Sequence, residues 1–230
     1  MKLILFDIDG TILNSDGAGR TAVHAAVREY LQLPHDPPAI RFDGKTDPQI
    51  IRELFEAAGA NGHDLDAAIT EVGGRYVRHL ERALAADAHE VRLLPGVSTL
   101  LDAVEARADA VLGLLTGNVV DGARLKLQAA GITFDRFRVG AFGSDHADRT
   151  ALPPIAAERA APHMGRRPHG DDIVIVGDTP ADMTCGRALG ARAIGVATGR
   201  YSAADLAAAG AWAVFPTFED THAVLDAVWG

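Results

Sequence analysis

The sequence predicts an α/β fold, a doubly wound parallel sheet with an all-helical block inserted after its first strand. Three observations predict it. Short apolar runs such as Leu3–Phe6, Ala110–Leu115 and Ile173–Val176 read as strands buried on both faces, which is the habit of parallel sheets. From about residue 97 onward, strand and helix patterns alternate. Between about 15 and 93 the pattern is helical, with no convincing strand. The expected division is a core of residues 1–14 and 94–230 and a helical lid of residues 15–93.

The elements follow in order. Leu3 to Phe6 form the first strand, and Asp7-Ile8-Asp9-Gly10-Thr11 ends it. Ala18, Ala22, Val23, Ala26, Val27, Tyr30 and Leu31 recur at helical spacing, until Leu33 to Pro38 breaks the pattern. The loop Phe42 to Pro48 precedes a second helix, capped by Thr46 or Asp47 with Pro48 at its first position. Gly59 to Gly62 ends that helix. A longer one carries Leu65, Ile69, Val72, Tyr76, Leu80 and Ala83 on one face. After a helix at 97–107, the strand Ala110–Leu115 ends in Thr116-Gly117-Asn118. A helix over 119–130 stops at Gly131, a C′ glycine. A weaker strand spans Arg138 to Phe142, and Pro153-Pro154 opens a helix to about 164. The cleanest strand, Ile173–Val176, runs into Gly177-Asp178-Thr179-Pro180-Ala181-Asp182. Strands at 193–197 and 212–215 and helices from 202 and 219 close the chain.

A chain of 230 residues can bury roughly 70% of its unfolded surface, so it needs no covalent staple. Its single cysteine, Cys185, allows no internal disulfide, suits a reducing cytoplasm, and is expected to pack on the sheet as a small hydrophobe. Asp7 cuts the opening apolar run too short for a signal peptide, and no stretch approaches the ~20 apolar residues of a membrane span. The formal charge of −9 argues against non-specific nucleic-acid binding. It leaves room for a locally cationic site for a small anion. Lysines occur only at 2, 45 and 126; the other bases are arginines.

Chemistry-bearing residues collect at strand ends, where open α/β sheets bind ligands. They are Asp7 with Asp9, Thr116 with Asn118, the Asp145 to Arg149 stretch, and Asp178 with Asp182. Paired acids repel unless they share a cation or hold a proton. Several carboxylates with a hydroxyl and a base describe an oxygen-only site for a hard cation, and Mg²⁺ suits it. His24, His63, His79, His89, His146, His163, His169 and His222 show no metal-ligand spacing.

The run Asp7-Ile8-Asp9-Gly10-Thr11 resembles the first motif of the haloacid dehalogenase-like superfamily of phosphohydrolases. Leu114-Leu115-Thr116-Gly117-Asn118 is similar to its second motif, and Gly177-Asp178-Thr179-Pro180-Ala181-Asp182 to its fourth. The helical insertion matches the subgroup that includes phosphoglycolate phosphatases and β-phosphoglucomutases. The resemblance implies a Rossmann-like core with a helical cap domain, and it assigns roles. Asp7 would be the nucleophile that forms an aspartyl-phosphate, and Asp9 the general acid and base. Thr116, with Gly117 and Asn118 beside it, would bind the phosphoryl group. Mg²⁺ would be held by the Asp7 carboxylate, the Asp9 carbonyl and Asp178, with Asp182 a further ligand or an acid just behind. The third motif usually carries a lysine. Here Arg149, 29 positions before Asp178, is the candidate, with Lys126 its rival. Lys45 lies on a loop resembling the cap's specificity loop and is either a substrate contact or a surface lysine.

The implied activity is hydrolysis of a small phosphate monoester such as phosphoglycolate, in a cytoplasmic monomer or homodimer with no nucleic-acid or membrane partner. Asp9 sorts the alternatives, because by resemblance the family's dehalogenases and phosphonate-cleaving members lack an acid there. A phosphosugar mutase shares all the motifs. A receiver domain that merely accepts phosphate is the non-enzymatic alternative, and such domains are shorter and lack the insertion.

Overall fold

The computed structural model describes residues 1–60, 64–86 and 89–230; Gly62 and His63 lie outside them. In chain order the elements are β1 (Lys2–Phe6), β2 (Leu13–Asn14), α1 (Ala18–Leu31), α2 (Asp47–Ala57), α3 (Leu65–Ala85) and β3 (Arg92–Leu93). They continue with α4 (Val97–Glu105), β4 (Ala110–Thr116), α5 (Val120–Ala129), β5 (Val139–Phe142) and α6 (Leu152–Met164). The last are β6 (Ile173–Gly177), α7 (Pro180–Cys185), β7 (Arg192–Val196), α8 (Ala203–Ala208), β8 (Ala213–Phe215) and α9 (Thr221–Trp229).

The apolar run of β1 splits by the period of two that a pleated strand imposes. Ile4 and Phe6 enter one core with Leu112, Leu114, Val174 and Val176. Leu3 and Leu5 enter the opposite core with Val111, Leu115, Ile173 and Ile175. Helices α4 and α9 cover the first face and α6 the second. Every strand pair in the main sheet is parallel, in the order β5-β4-β1-β6-β7-β8. The chain therefore leaves β1 in one direction through β4 and β5, then resumes on its other side with β6. That reversal opens a crevice at the carboxyl ends of β1, β4 and β6.

Helices α1, α2 and α3 share a separate core of Val23, Val27, Ile51, Leu54, Phe55, Val72, Tyr76 and Leu80. Thr46 caps α2 by accepting from the Gln49 N–H, so Asp47 is the first helical residue and Pro48 the second. Gly59, with φ +71°, follows the end of that helix. Leu125 and Val119 of the main unit pack against the same cluster, joining it to α5.

Three elements depart from the sequence reading. β2 and β3 pair antiparallel where the inserted block leaves and rejoins the main unit. With two residues each they show no periodicity, so the apparent absence of a strand up to residue 93 is corrected. Pro180–Cys185, which begin within the Gly177–Asp182 strand-end motif and are too few to show a helical period, form α7. Thr179 and Asp182 make its capping box: the Thr179 hydroxyl accepts from the Asp182 N–H while the Asp182 carboxylate accepts from the Thr179 N–H.

Cys185 at the end of α7 packs with Leu3, Leu5 and Ile175, as expected of a small hydrophobe. Burial pushes its thiol up to about 12 despite the nearby Arg149 guanidinium. The thiolate is therefore absent at pH 8 in the folded state. Ellman's reagent at pH 8 should label no thiol in the native protein on the timescale that labels one equivalent in urea.

Candidate active site

At the carboxyl edge of β1, β4 and β6 lies a cavity of about 280 Å³, walled by the main sheet on one side and the α1–α3 block on the other. Asp7, Asp9, Thr116, Gly117, Asn118, Arg149, Asp178 and Lys45 all line it. Asp182 lies behind this wall and is fully buried.

The strand ends explain the first cluster. β1 stops at Phe6, so Asp7 projects from its tip while its N–H still donates to the Val176 carbonyl of β6 at 2.9 Å. Arg149 opens the turn before α6 and reaches under the sheet edge. Its Nη2 lies 3.3 Å from Asp7 Oδ1, donates to Asp182 Oδ1, and donates to the Leu115 carbonyl at 3.4 Å. The other oxygen of Asp182 accepts from the Thr179 N–H at 3.0 Å and the Thr179 hydroxyl at 2.6 Å. Both Asp182 oxygens are thus engaged, and its visible work is to anchor Arg149. Burial by itself works against the Arg149 charge, but Asp182 and Asp7 outweigh it and hold the guanidinium protonated.

The acids here are crowded. Burial raises the Asp7 pKa, opposed by Arg149 and reinforced by Asp182 and Asp9. Burial, then Asp182 and Asp7, drive Asp178 well above the carboxylate range, although the Thr11 hydroxyl donates to it at 3.2 Å. Oxygens of Asp7, Asp178 and Asp182 lie within 4.8 Å of one another. A Cβ on Gly10 would fall 2.4 Å from Asp178 Oδ2, and one on Gly199 only 1.8 Å away, so the carboxylate occupies a cradle that side chains would fill. Crowded, desolvated, oxygen-only donors fit a hard divalent cation.

Asp9 belongs to a second cluster. Lys126, on α5 and 4% exposed, donates from Nζ to both Asp9 oxygens at 2.8 and 2.7 Å and to Asn118 Oδ1 at 2.7 Å. Asn118 Nδ2 donates to Asp9 Oδ2 and to Thr116 Oγ1, each at 2.8 Å. Ser15 adds a longer bond at 3.4 Å. Burial alone would raise the Asp9 pKa; Lys126, Asn118 and Ser15 outweigh it and lower it, so the group stands as a carboxylate. Arg149 and Lys126, rivals in the sequence, therefore serve different acids.

The loop before α2 docks onto this edge. Asp47 N–H donates to the Gly117 carbonyl at 2.7 Å, Val119 N–H donates to Asp47 Oδ2 at 2.8 Å, and the Thr46 hydroxyl donates to the Ala147 carbonyl at 2.6 Å. A Cβ on Gly117 would lie 2.1 Å from the Lys45 carbonyl, which makes Gly117 the residue that admits the loop. Burial holds Asp47 up at about 6. Lys45 lines the cavity but its ammonium is paired with Glu53 of α2. Sequence reasoning missed Ser15, Asp47, Tyr76 and Arg20 as cavity residues. Asp47 alone carries a signal, as a candidate helix cap before Pro48. His146 is exposed, accepts from the Asp148 N–H, and does not line the cavity.

A family model described as haloacid dehalogenase-like hydrolase matches residues 1–190. The phosphoglycolate phosphatase of Rhodospirillum rubrum is 28% identical over 218 residues, covering 94% of this chain and 88% of that protein. The protein of the same name from Xylella fastidiosa is 30% identical over 189 residues, covering 82% and 77%. Among solved structures, a mutant of CbbY from Rhodobacter sphaeroides in complex with xylulose-(1,5)bisphosphate superposes with a TM-score of 0.74 at 18% identity, over 96% of both chains. A predicted phosphoglycolate phosphatase from Haemophilus somnus gives 0.70 at 19% identity, over 98% of both. These structural likenesses speak for the fold. With the motifs at the ends of β1, β4 and β6 and a family match over most of its length, the chain belongs to the haloacid dehalogenase-like hydrolases.

Proposed function

We propose that this hydrolase is a Mg²⁺-dependent phosphatase that cleaves a small phosphate monoester through a phosphorylated Asp7. The observation that carries the reading is the placement of Asp7: at the strand tip, on the cavity wall, beside Arg149, with Asp9 two residues on. Relatives named phosphoglycolate phosphatase support a short, anionic substrate. The cavity volume supports a molecule of a few carbons.

In the first step an Asp7 oxygen attacks phosphorus and the bond to the alcohol oxygen breaks, leaving an aspartyl-phosphate. Splitting the displacement in two lowers each barrier. Arg149 holds the Asp7 carboxylate in line and presents positive charge to the transferring group. Thr116 and Asn118 sit where the phosphoryl oxygens arrive. Asp9 gives the departing oxygen its proton; an incoming phosphate dianion raises the affinity of Asp9 for that proton. In the second step Asp9 takes a proton from water, which attacks phosphorus and returns Asp7. The network of Lys126 and Asn118 holds Asp9 in the carboxylate form this step needs. The carboxylates of Asp7 and Asp178 and the Asp9 carbonyl would hold Mg²⁺, with Asp182 behind them anchoring Arg149. When bound, the cation supplies charge neutralisation at the phosphoryl oxygens. The α1–α3 block, roughly residues 15–93, acts as the cap that excludes bulk water. The lone buried thiol and the absence of any helix, among the described residues, long and apolar enough to cross a membrane support a cytoplasmic setting.

Three outcomes test the reading. Asp7→Asn keeps the shape and removes the nucleophile, so phosphate release in a malachite-green assay should fall to background while the urea midpoint does not drop. Asp9→Asn should lower kcat by about 10²–10⁴-fold on an alkyl phosphate. The loss should be smaller for the first step on p-nitrophenyl phosphate, whose leaving group needs no proton, as stopped-flow nitrophenol release would show. Chelation with EDTA should abolish turnover, and excess Mg²⁺ should restore it; full activity after exhaustive chelation would remove the metal from the scheme.

A further inference from the structure

The cap side of the cavity offers a polar atom for which the described residues supply no partner. Tyr76 of α3 is 1% exposed and lines the cavity, and its hydroxyl makes no hydrogen bond among the described residues. The side-chain atoms sealed inside without a partner among those residues are His24 Nε2, Arg75 Nε, Arg149 Nε and Arg192 Nη1. The Tyr76 hydroxyl is not one of them, so it is reached from the cavity. A buried phenol normally finds a partner, and a phenylalanine would fill the same ring volume with no polar group to satisfy.

The surroundings keep space beside that hydroxyl. A Cβ on Gly122 would lie 3.4 Å from the Tyr76 oxygen and 3.3 Å from its Cε1. A Cβ on Gly19 would lie 3.8 Å from the same oxygen and 3.1 Å from Lys126 Nζ. The hydroxyl and the ammonium that holds Asp9 therefore border one gap, left open by the missing side chain of Gly19. Burial, with the carboxylates of Asp47 and Asp9, holds the phenol well above its ordinary pKa, so it stays a donor.

We propose that Tyr76 is a specificity-determining residue whose hydroxyl donates to an oxygen on the alcohol half of the substrate, beyond the ester oxygen. That oxygen belongs to a carboxylate or a hydroxyl. The inference rests on the phosphatase reading and adds the recognition of the leaving group. Residues at the strand ends handle the phosphoryl group; Tyr76, projecting from the cap, reads what the phosphoryl group is attached to.

Three two-carbon esters differ only in the distal group: 2-phosphoglycolate, 2-hydroxyethyl phosphate and ethyl phosphate. The wild type should favour one of the first two over ethyl phosphate by about tenfold or more in kcat/KM, as one hydrogen bond to a polar or charged group allows. Tyr76→Phe should erase most of that preference, chiefly through KM, with an unchanged melting temperature. Loss confined to the glycolate identifies a carboxylate, and loss confined to the hydroxyethyl ester a hydroxyl. A preference that survives Tyr76→Phe overturns the assignment. So does a wild type that treats the three esters alike while hydrolysing p-nitrophenyl phosphate, or an equal fall on all esters with a lowered melting temperature. No phosphate released from any of the four esters overturns the phosphatase reading itself.

Discussion

Arg149 is the group on which the site depends. Asp7, Asp178 and Asp182 converge on one small volume, and burial strips away the water that would otherwise screen them. A single guanidinium shared by Asp7 and Asp182 lowers the repulsion but cannot neutralise three carboxylates. The remaining negative charge suits a divalent cation. Arginine suits the position because it keeps its charge when buried; its Nη2 alone faces Asp7, Asp182 and the Leu115 carbonyl.

Lys126 does for Asp9 what Arg149 does for Asp7. A lysine is seldom buried this deeply unless paired, and here each of its bonds goes to Asp9 or Asn118. The two clusters meet through the backbone of Asp7-Ile8-Asp9 and of Leu115-Thr116, and the pKa values of the two acids are shifted in opposite directions. Burial raises the first, and a lysine lowers the second. Environments that drive neighbouring acids apart are a recurrent basis for dividing catalytic labour. The cap contributes through Asp47, whose N–H donates to the Gly117 carbonyl and whose carboxylate accepts from the Val119 N–H at the turn that carries Asn118, and through Thr46, whose hydroxyl donates to the Ala147 carbonyl.

Much of this was legible in the chain because it is local. Asp7 and Asp9 follow an apolar run directly, and a strand end is a place that topology reserves for ligands. Asp178 follows another such run. Less local features were harder to see. The short pairing of β2 with β3 has no periodicity to read, and α7 is announced only by the Thr179–Asp182 capping box. Lys45 suits substrate or surface equally by sequence; in the fold it lines the cavity while paired with Glu53, nearly two helical turns into α2. Tyr76 read as one apolar member of a helical stripe, which its ring is, while its hydroxyl is directed to the cavity by which neighbours lack a side chain.

The strand runs, the helical insertion and the acids at strand tips are written in the residue order, because hydrophobic period is a property of adjacent positions. The folded arrangement alone settled which cation faces which acid, that Asp182 anchors Arg149, and that the loop at Gly44–Asp47 lies on the turn at Gly117. Those pairings join residues tens to more than a hundred positions apart, and they exist only once the sheet has reversed direction at β1 and brought its strand ends to one edge.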